Sequence, residues 1–171
     1  MIYYIAGIIV LLADIFTKRI AVAALSGGTS IPIIKNVFHL TYVENRGIAF
    51  GAFSGGRTFF IIVSIIMIAA LFIYLYKTPR AKRTVWQKSS LALVIGGAVG
   101  NFIDRIRLGY VIDFFDFRLI DFPVFNVADI AVCIGVGMLM IHLIFFDDNS
   151  KDDNSKDDKN DKQNSDDAMK E

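Results

Sequence analysis

Four aspartates, Asp113, Asp116, Asp121 and Asp129, fall in one aromatic-rich stretch, G-Y-V-I-D-F-F-D-F-R-L-I-D-F-P-V-F-N-V-A-D from Gly109 to Asp129, between two apolar segments of membrane length. A carboxylate at the edge of hydrocarbon is costly and is kept with a partner or for a task, which makes Asp113 and Asp129 the first candidates for chemistry. Two carboxylates facing one site do not both ionise cheaply, so one keeps a proton while the other acts as a base. Such a pair can activate water against a carbonyl without a metal, a nucleotide or a nucleophilic serine. Plainer readings stand beside this one: Asp116 and Asp121 in a wet loop, Asp129 as a helix cap, and the outer aspartates in structural ion pairs.

The elements that must position these carboxylates follow from composition. The chain has 171 residues, 54% of them hydrophobic, and a mean hydropathy of +0.51. That exceeds the apolar share of about 45–50% in soluble domains and points to a membrane protein. The net charge of +1 conceals an asymmetry: residues 147–171 carry ten acids and five lysines, whereas the first 146 residues carry thirteen bases and seven acids. One cysteine, Cys133, leaves the redox compartment unreadable and reads as a packing residue; His39 and His142, far apart, form no metal-ligand cluster.

Residues 2–25 are long enough to cross a bilayer as a helix although Asp14, Lys18 and Arg19 interrupt them. A cleaved signal peptide is the competing reading, but the stretch lacks a basic start and carries charges inside its apolar core. Asp14 and Lys18 lie four apart, share a helical face and can neutralise each other. Residues 26–57 turn to β-branched and aromatic side chains with glycine-rich borders, which predicts short strands lying on the membrane surface. There, Asn45 and Gly47 of N-R-G-I-A-F-G read either as a simple turn or as an amide offered beside flexible backbone.

Residues 58–76 form an uninterrupted apolar span. The connection Lys77–Lys88 holds five bases and no acid, and the positive-inside rule places it in the cytoplasm with both chain ends. Trp86 in that loop reads as an interfacial anchor. A third span, about 89–105, repeats small residues at Ala92, Gly96 and Gly100, a spacing that admits a close helix. Its far end puts Asn101, Asp104 and Arg105 on one face, with Arg105 expected to hold Asp104. A fourth span, about 124–146, places Asn126 and Asp129 on one face of its first turns. The repetitive tail 147–171 has almost nothing apolar and is expected to be a disordered cytoplasmic segment. The expected architecture is an all-α polytopic membrane protein of four transmembrane helices with a small extracytoplasmic sheet, residues 1–146 forming one domain.

With both ends inside, Asp14, Lys18, Asn45, Asn101, Asp104, Arg105, Asp113, Asn126 and Asp129 all reach the outer face. D-I-F-T-K at Asp14, N-R-G-I-A-F at Asn45, G-G-A-V-G-N-F-I-D-R at Gly96, G-Y-V-I-D-F at Gly109 and F-N-V-A-D at Phe125 together resemble the lipoprotein signal peptidases, the signal peptidase II family. The resemblance implies an aspartyl endopeptidase of the bacterial cytoplasmic membrane. Such an enzyme removes signal peptides from diacylglyceryl-modified prolipoproteins on the amino side of the lipid-bearing cysteine. It implies Asp113 and Asp129 as the catalytic pair, with Asp14, Lys18, Asn45, Gly47, Asn101, Asp104, Arg105 and Asn126 in supporting or substrate-contacting positions. No metal or other cofactor and no nucleic acid is implied; the partners are prolipoproteins and membrane lipids, and nothing in four spans demands more than a monomer.

Three other classes compete. A proton-coupled transporter also holds intramembrane carboxylates, but typically with internal repeats and helices broken at mid-membrane. A serine–lysine protease needs its pair on the outer side, whereas Lys88, Ser89 and Ser90 fall on the cytoplasmic one. A non-catalytic assembly factor is the blandest. Conversion of a lipid-modified prolipoprotein by the purified protein separates all three from a peptidase.

Overall fold

The computed structural model describes residues 2–47, 57–77 and 84–146. It contains four long helices, α1 (Ile2–Leu25), α2 (Arg57–Lys77), α3 (Val85–Arg107) and α4 (Val127–Phe146), with strands β1 (Ser30–Ile34), β2 (Phe38–Asn45) and β3 (Val111–Phe117). The expectations for the tail 147–171, for the 48–56 part of the predicted β region and for 78–83 of the basic loop lie outside the described residues. Among the described residues, α3 is the one helix both long and apolar enough to cross a membrane, while α2 and α4 contain the shorter apolar stretches Ile61–Tyr74 and Val127–His142. The outward faces are nonetheless oily: Ile8, Ile9, Leu12 and Phe16 of α1, Ile66 and Phe72 of α2, and Ile134, Ile144 and Phe145 of α4 are all exposed. Apolar surface of that extent marks a lipid or protein contact.

Helix α3 is the axis. Its neighbours approach backbone to backbone through glycine: a Cβ on Gly96 would stand 2.5 Å from the Gly7 carbonyl of α1, and one on Gly97 would collide with the Ala128 carbonyl of α4. Gly100 is constrained differently, since a Cβ there would meet the Asp14 carboxylate at 2.6 Å. The small-residue repeat thus serves α1, and its neighbouring glycine serves α4.

Two helix boundaries differ from the sequence expectation. Helix α3 starts at Val85 rather than near 89, because Thr84 and Gln87 form a capping box, the hydroxyl accepting from the Gln87 amide and the Gln87 side chain from the Thr84 amide. Trp86 therefore sits in the first helical turn, not in a loop, and its indole donates to the Met138 carbonyl of α4 at 2.7 Å. Helix α4 starts at Val127 rather than near 124, because Phe125 exchanges backbone hydrogen bonds with Phe115 of β3 before Asn126 caps the helix.

The larger difference is β3 itself. The stretch around Asp113, expected as a link between spans, is the third strand of an antiparallel sheet ordered β1-β2-β3. Gly109, at φ 87°, closes the end of α3 in the left-handed region and turns the chain straight into that strand. β2 carries one extra residue between Leu40 and Val43, so the side bearing the Leu40–Phe115 pair continues into Val43–Asp113 and Asn45–Val111. Ala21, Leu25 and Phe114 form the contact between α1 and the sheet, with Leu40, Tyr42 and Phe115 around them. Further along the strands Asp116 accepts from Thr41 at 2.7 Å and from Arg118 at 2.8 Å. Ser30 touches both Thr41 and His39, linking all three strands.

Candidate active site

Asp113 lies on β3 at 1% exposure. Asn45 on the neighbouring strand donates to its Oδ2 at 2.8 Å, and Asn126 donates to its Oδ1 at 2.6 Å. The orientation of the Asn45 amide is set locally. Its Oδ1 accepts the Gly47 N–H at 2.9 Å, in a turn whose Gly47 has φ 95°, which leaves the NH2 end for Asp113. The turn and site readings of N-R-G are thus one arrangement. Burial, first, and the neighbouring charge of Asp129 push the Asp113 carboxyl up to about 7 against the lowering effect of the two amides.

Asp129 is held at the start of α4. Asn126 and Asp129 cap each other: the side-chain Oδ1 of Asn126 accepts the Asp129 backbone N–H at 3.0 Å, and Asp129 Oδ2 accepts the Asn126 backbone N–H at 3.2 Å. Three residues of spacing, N-V-A-D, produce this reciprocal cap. The other Asp129 oxygen, Oδ1, accepts from Asn101 of α3 at 2.7 Å. The cap reading of Asp129 therefore describes one of its oxygens and the site reading the other.

Behind these groups is a buried ion cluster. Lys18, 2% exposed, reaches Asp14 Oδ2 at 2.8 Å, Asp104 Oδ2 at 2.9 Å and Asn101 Oδ1 at 2.9 Å. Asp14 Oδ1 also accepts the Ala128 amide at 3.0 Å, a second cap on α4. Asp104 Oδ2 receives the Ile112 amide of β3 at 3.3 Å. The cluster thus ties α1, α3, α4 and β3 together. Here the sequence pairing of Asp104 with Arg105 gives way: adjacent helical side chains point about 100° apart, so Asp104 turns to Lys18 and Arg105 turns to the opposite side.

That opposite side is open. A cavity of about 160 Å³ lies between Val63, Ser64 and Met67 of α2, Ala98, Asn101 and Arg105 of α3, and Asp129 and Val132 of α4. Of the ten residues singled out in the sequence, Lys18, Asn126 and Asp129 bond Asn101 directly, Asp14, Asp104 and Asp113 lie one bond further, Asn45 and Gly47 follow through Asp113, and Arg105 lines the cavity beside Asn101. Among the described residues no three His, Cys, Asp or Glu side chains form a metal-binding group.

Sequence reading missed the α2 wall, because Val63, Ser64 and Met67 carry no signal inside an apolar run. It also missed a polar rim beside Asn45. Arg46 pairs with Glu44 at 2.8 Å and lies 5.6 Å from the Tyr110 ring centre, and the Tyr110 and Tyr42 hydroxyls are 3.5 Å apart. The alternation of aromatic and charged residues in Y-V-E-N-R was the available clue.

Comparison with known proteins adds to this geometry. Residues 6–145 match the family described as Signal peptidase (SPase) II. The lipoprotein signal peptidase of Halothermothrix orenii is 49% identical over 140 residues, 82% of this chain and 93% of that protein. The lipoprotein signal peptidase of Clostridioides difficile is 43% identical over 151 residues, 88% of this chain and all of that one. A bacterial membrane enzyme solved by the in meso method at 1.9 Å resolution superposes with a TM-score of 0.75 at 35% identity, over 84% of this chain and 93% of that chain.

Proposed function

The chain belongs to the signal peptidase II family, bacterial membrane proteases that cleave lipoprotein signal peptides, and on that premise we propose that it does so as an aspartyl endopeptidase through Asp113 and Asp129. The substrates on this reading are diacylglyceryl-modified prolipoproteins, cut on the amino side of the lipid-bearing cysteine. The observation that carries it is the fixing of two carboxylates on different elements by one residue: Asn126 donates to Asp113 through its side chain and to Asp129 through its backbone.

In this reading one carboxylate takes a proton from water as the water oxygen bonds to the scissile carbonyl carbon. The protonated partner gives its proton to the carbonyl oxygen, forming a tetrahedral diol. As the diol collapses, the carbon–nitrogen bond breaks, the amine leaves with the proton held by the first carboxylate, and the second recovers its own. One water is consumed and the pair returns to its starting state. Asn45, Asn101 and Asn126 hold the carboxylates in place, and Gly47 holds Asn45. The cavity along α2 is where substrate backbone reaches Asp129, with Arg105 beside it. In the bilayer, four helices cross with both termini cytoplasmic and the sheet on the outer surface. That topology is supported by the oily helix exteriors and by the basic Lys77–Lys88 connection. The enzyme works as a monomer and needs no cofactor.

The test is cleavage of a diacylglyceryl-modified prolipoprotein by purified protein in detergent, followed by gel. Asp113→Asn and Asp129→Asn, each folded, should lose about 10²-fold to 10⁴-fold in rate or more, because the amide keeps the shape and removes the proton transfer. Full turnover in either variant rules the pair out.

A further inference from the structure

The two carboxylates are not equivalent, and the difference lies behind them. We propose that Lys18 is a positioning residue which, by gripping the carbonyl end of the Asn101 amide, aims the amide's NH2 at Asp129 and so makes Asp129 the resting base and Asp113 the resting acid. This rests on the aspartyl reading and deepens it.

An ammonium can only donate. At 2.9 Å from Lys18, the Asn101 side chain must present oxygen, and its NH2 end is then left to donate to Asp129 Oδ1 at 2.7 Å. The Asn126 NH2, 3.1 Å from the same Asn101 oxygen, enforces that orientation from the other side. Asp129 consequently receives an N–H polarised by a cation, together with the Asn126 amide at the positive end of α4, and both favour an anion. Asp113 has neutral donors only, the side-chain amides of Asn45 and Asn126, and sits on a strand at 1% exposure. Its carboxyl being pushed up to about 7 by burial agrees with the proton resting there. Asp129, by contrast, lines the cavity between α2, α3 and α4.

The charged groups around Lys18 and Asp129 fit this assignment. Asp14 of α1 and Asp104 of α3 are both taken up by Lys18, Arg105 of α3 lines the cavity with Asp129, and the α2 wall offers Val63, Ser64 and Met67, none of them charged. Glu44 of β2 is exposed and engaged with Arg46. Lys18 therefore acts on Asp129 through the Asn101 amide, whereas its charge reaches Asp113 only through space, as the last of the influences there.

The experiment compares pH profiles of kcat/KM for the wild type, Lys18→Met and Asn101→Ala, with folding verified in each. Loss of the oriented, polarised donor should move the acidic limb upward by about one pH unit while the alkaline limb moves far less. Asn101→Ala leaves the Asp14–Lys18–Asp104 cluster whole, so it decides the matter even if Lys18→Met fails to fold. An acidic limb that stays put while the rate drops means that Asn101 is merely structural and overturns the proposal, as does an equal shift of both limbs. Infrared difference spectra give the assignment without turnover: the protonated-carboxyl band at neutral pH should vanish in Asp113→Asn and persist in Asp129→Asn, and the reverse overturns it. If either of those variants cleaves normally, the aspartyl reading itself is wrong; if both are dead and the limbs do not move, only the present inference falls.

Discussion

Asn101 stands between two unlike halves of the molecule. On the α1 side its oxygen meets Lys18, which holds Asp14 and Asp104, all three packed at 0–13% side-chain exposure behind glycines that bring α1 and α4 onto α3. On the α2 side its neighbours are Arg105, Asp129 and a cavity with Val63, Ser64 and Met67 across it. The closed half is filled by side chains gripped from one point, Asp14 and Asp104 both paired with Lys18; the open half leaves room. One amide joins the two halves, its oxygen on Lys18 and its NH2 on Asp129. The same helix can serve both because adjacent side chains on it, Asp104 and Arg105, are sent about 100° apart around its axis.

If that contrast is correct, injury to the closed half should act through the fold. Asp14→Ala removes a Lys18 partner and the Ala128 cap together, and a loss of about 2–4 kcal/mol is expected, read as a lower melting temperature in detergent with activity falling in parallel. An unchanged melting temperature would mean that the ion cluster does not hold the helices.

Asp113 offers a subtler probe. Its carboxyl is raised in the fold from 3.8 to about 7, so over that interval the folded protein keeps a proton that the unfolded chain has released. The stability Asp113 contributes is complete below 3.8 and is lost as pH rises through about 7. Asp113→Asn cannot ionise and escapes the loss. Its stability relative to wild type should therefore improve by ~1–3 kcal/mol between about pH 5 and about pH 8, measured by thermal melts across that range; a gain that shrinks with pH would place Asp113 in a wetter setting than the structure shows.

The smallest effect on stability belongs to the open half. Met67→Ala, on a half-exposed side chain, should change stability by about 1 kcal/mol or less and act chiefly through KM for the prolipoprotein. Separate kcat and KM values with a melting curve check this, and destabilisation as large as that of Asp14→Ala would erase the difference between the halves.

The helices and most of the site were legible because each had a periodic or pairing signal. Asp14 and Lys18 are four apart and meet as that spacing requires, and the small-residue repeat at Ala92, Gly96 and Gly100 announced a close neighbour. What escaped was decided by partners distant in sequence. Lys18 outcompeted Arg105 for Asp104 because it arrives from another helix in the right direction. β3 was missed since V-I-D-F-F-D-F puts aspartates three apart, breaking the alternation that identifies a strand; Asp113 and Asp116 face opposite sides of the sheet, each to its own amide or hydroxyl. The start of α4 was misplaced by a few residues because Phe125 had a strand to pair with.

The extra residue of β2 has a consequence for how the chain can vary. Side chains alternate along a strand, so the count of residues between Leu40 and Asn45 determines whether the Asn45 amide arrives over Asp113 or on the reverse of the sheet. Length in that segment is therefore constrained by the Asn45–Asp113 hydrogen bond. The turn between β1 and β2, where Asn36 already adopts φ 63°, is under no such arithmetic: residues gained there lengthen a hairpin tip and leave the count to Asn45 untouched. Within one small sheet, then, one connection is free to drift in length and its continuation is fixed to the residue.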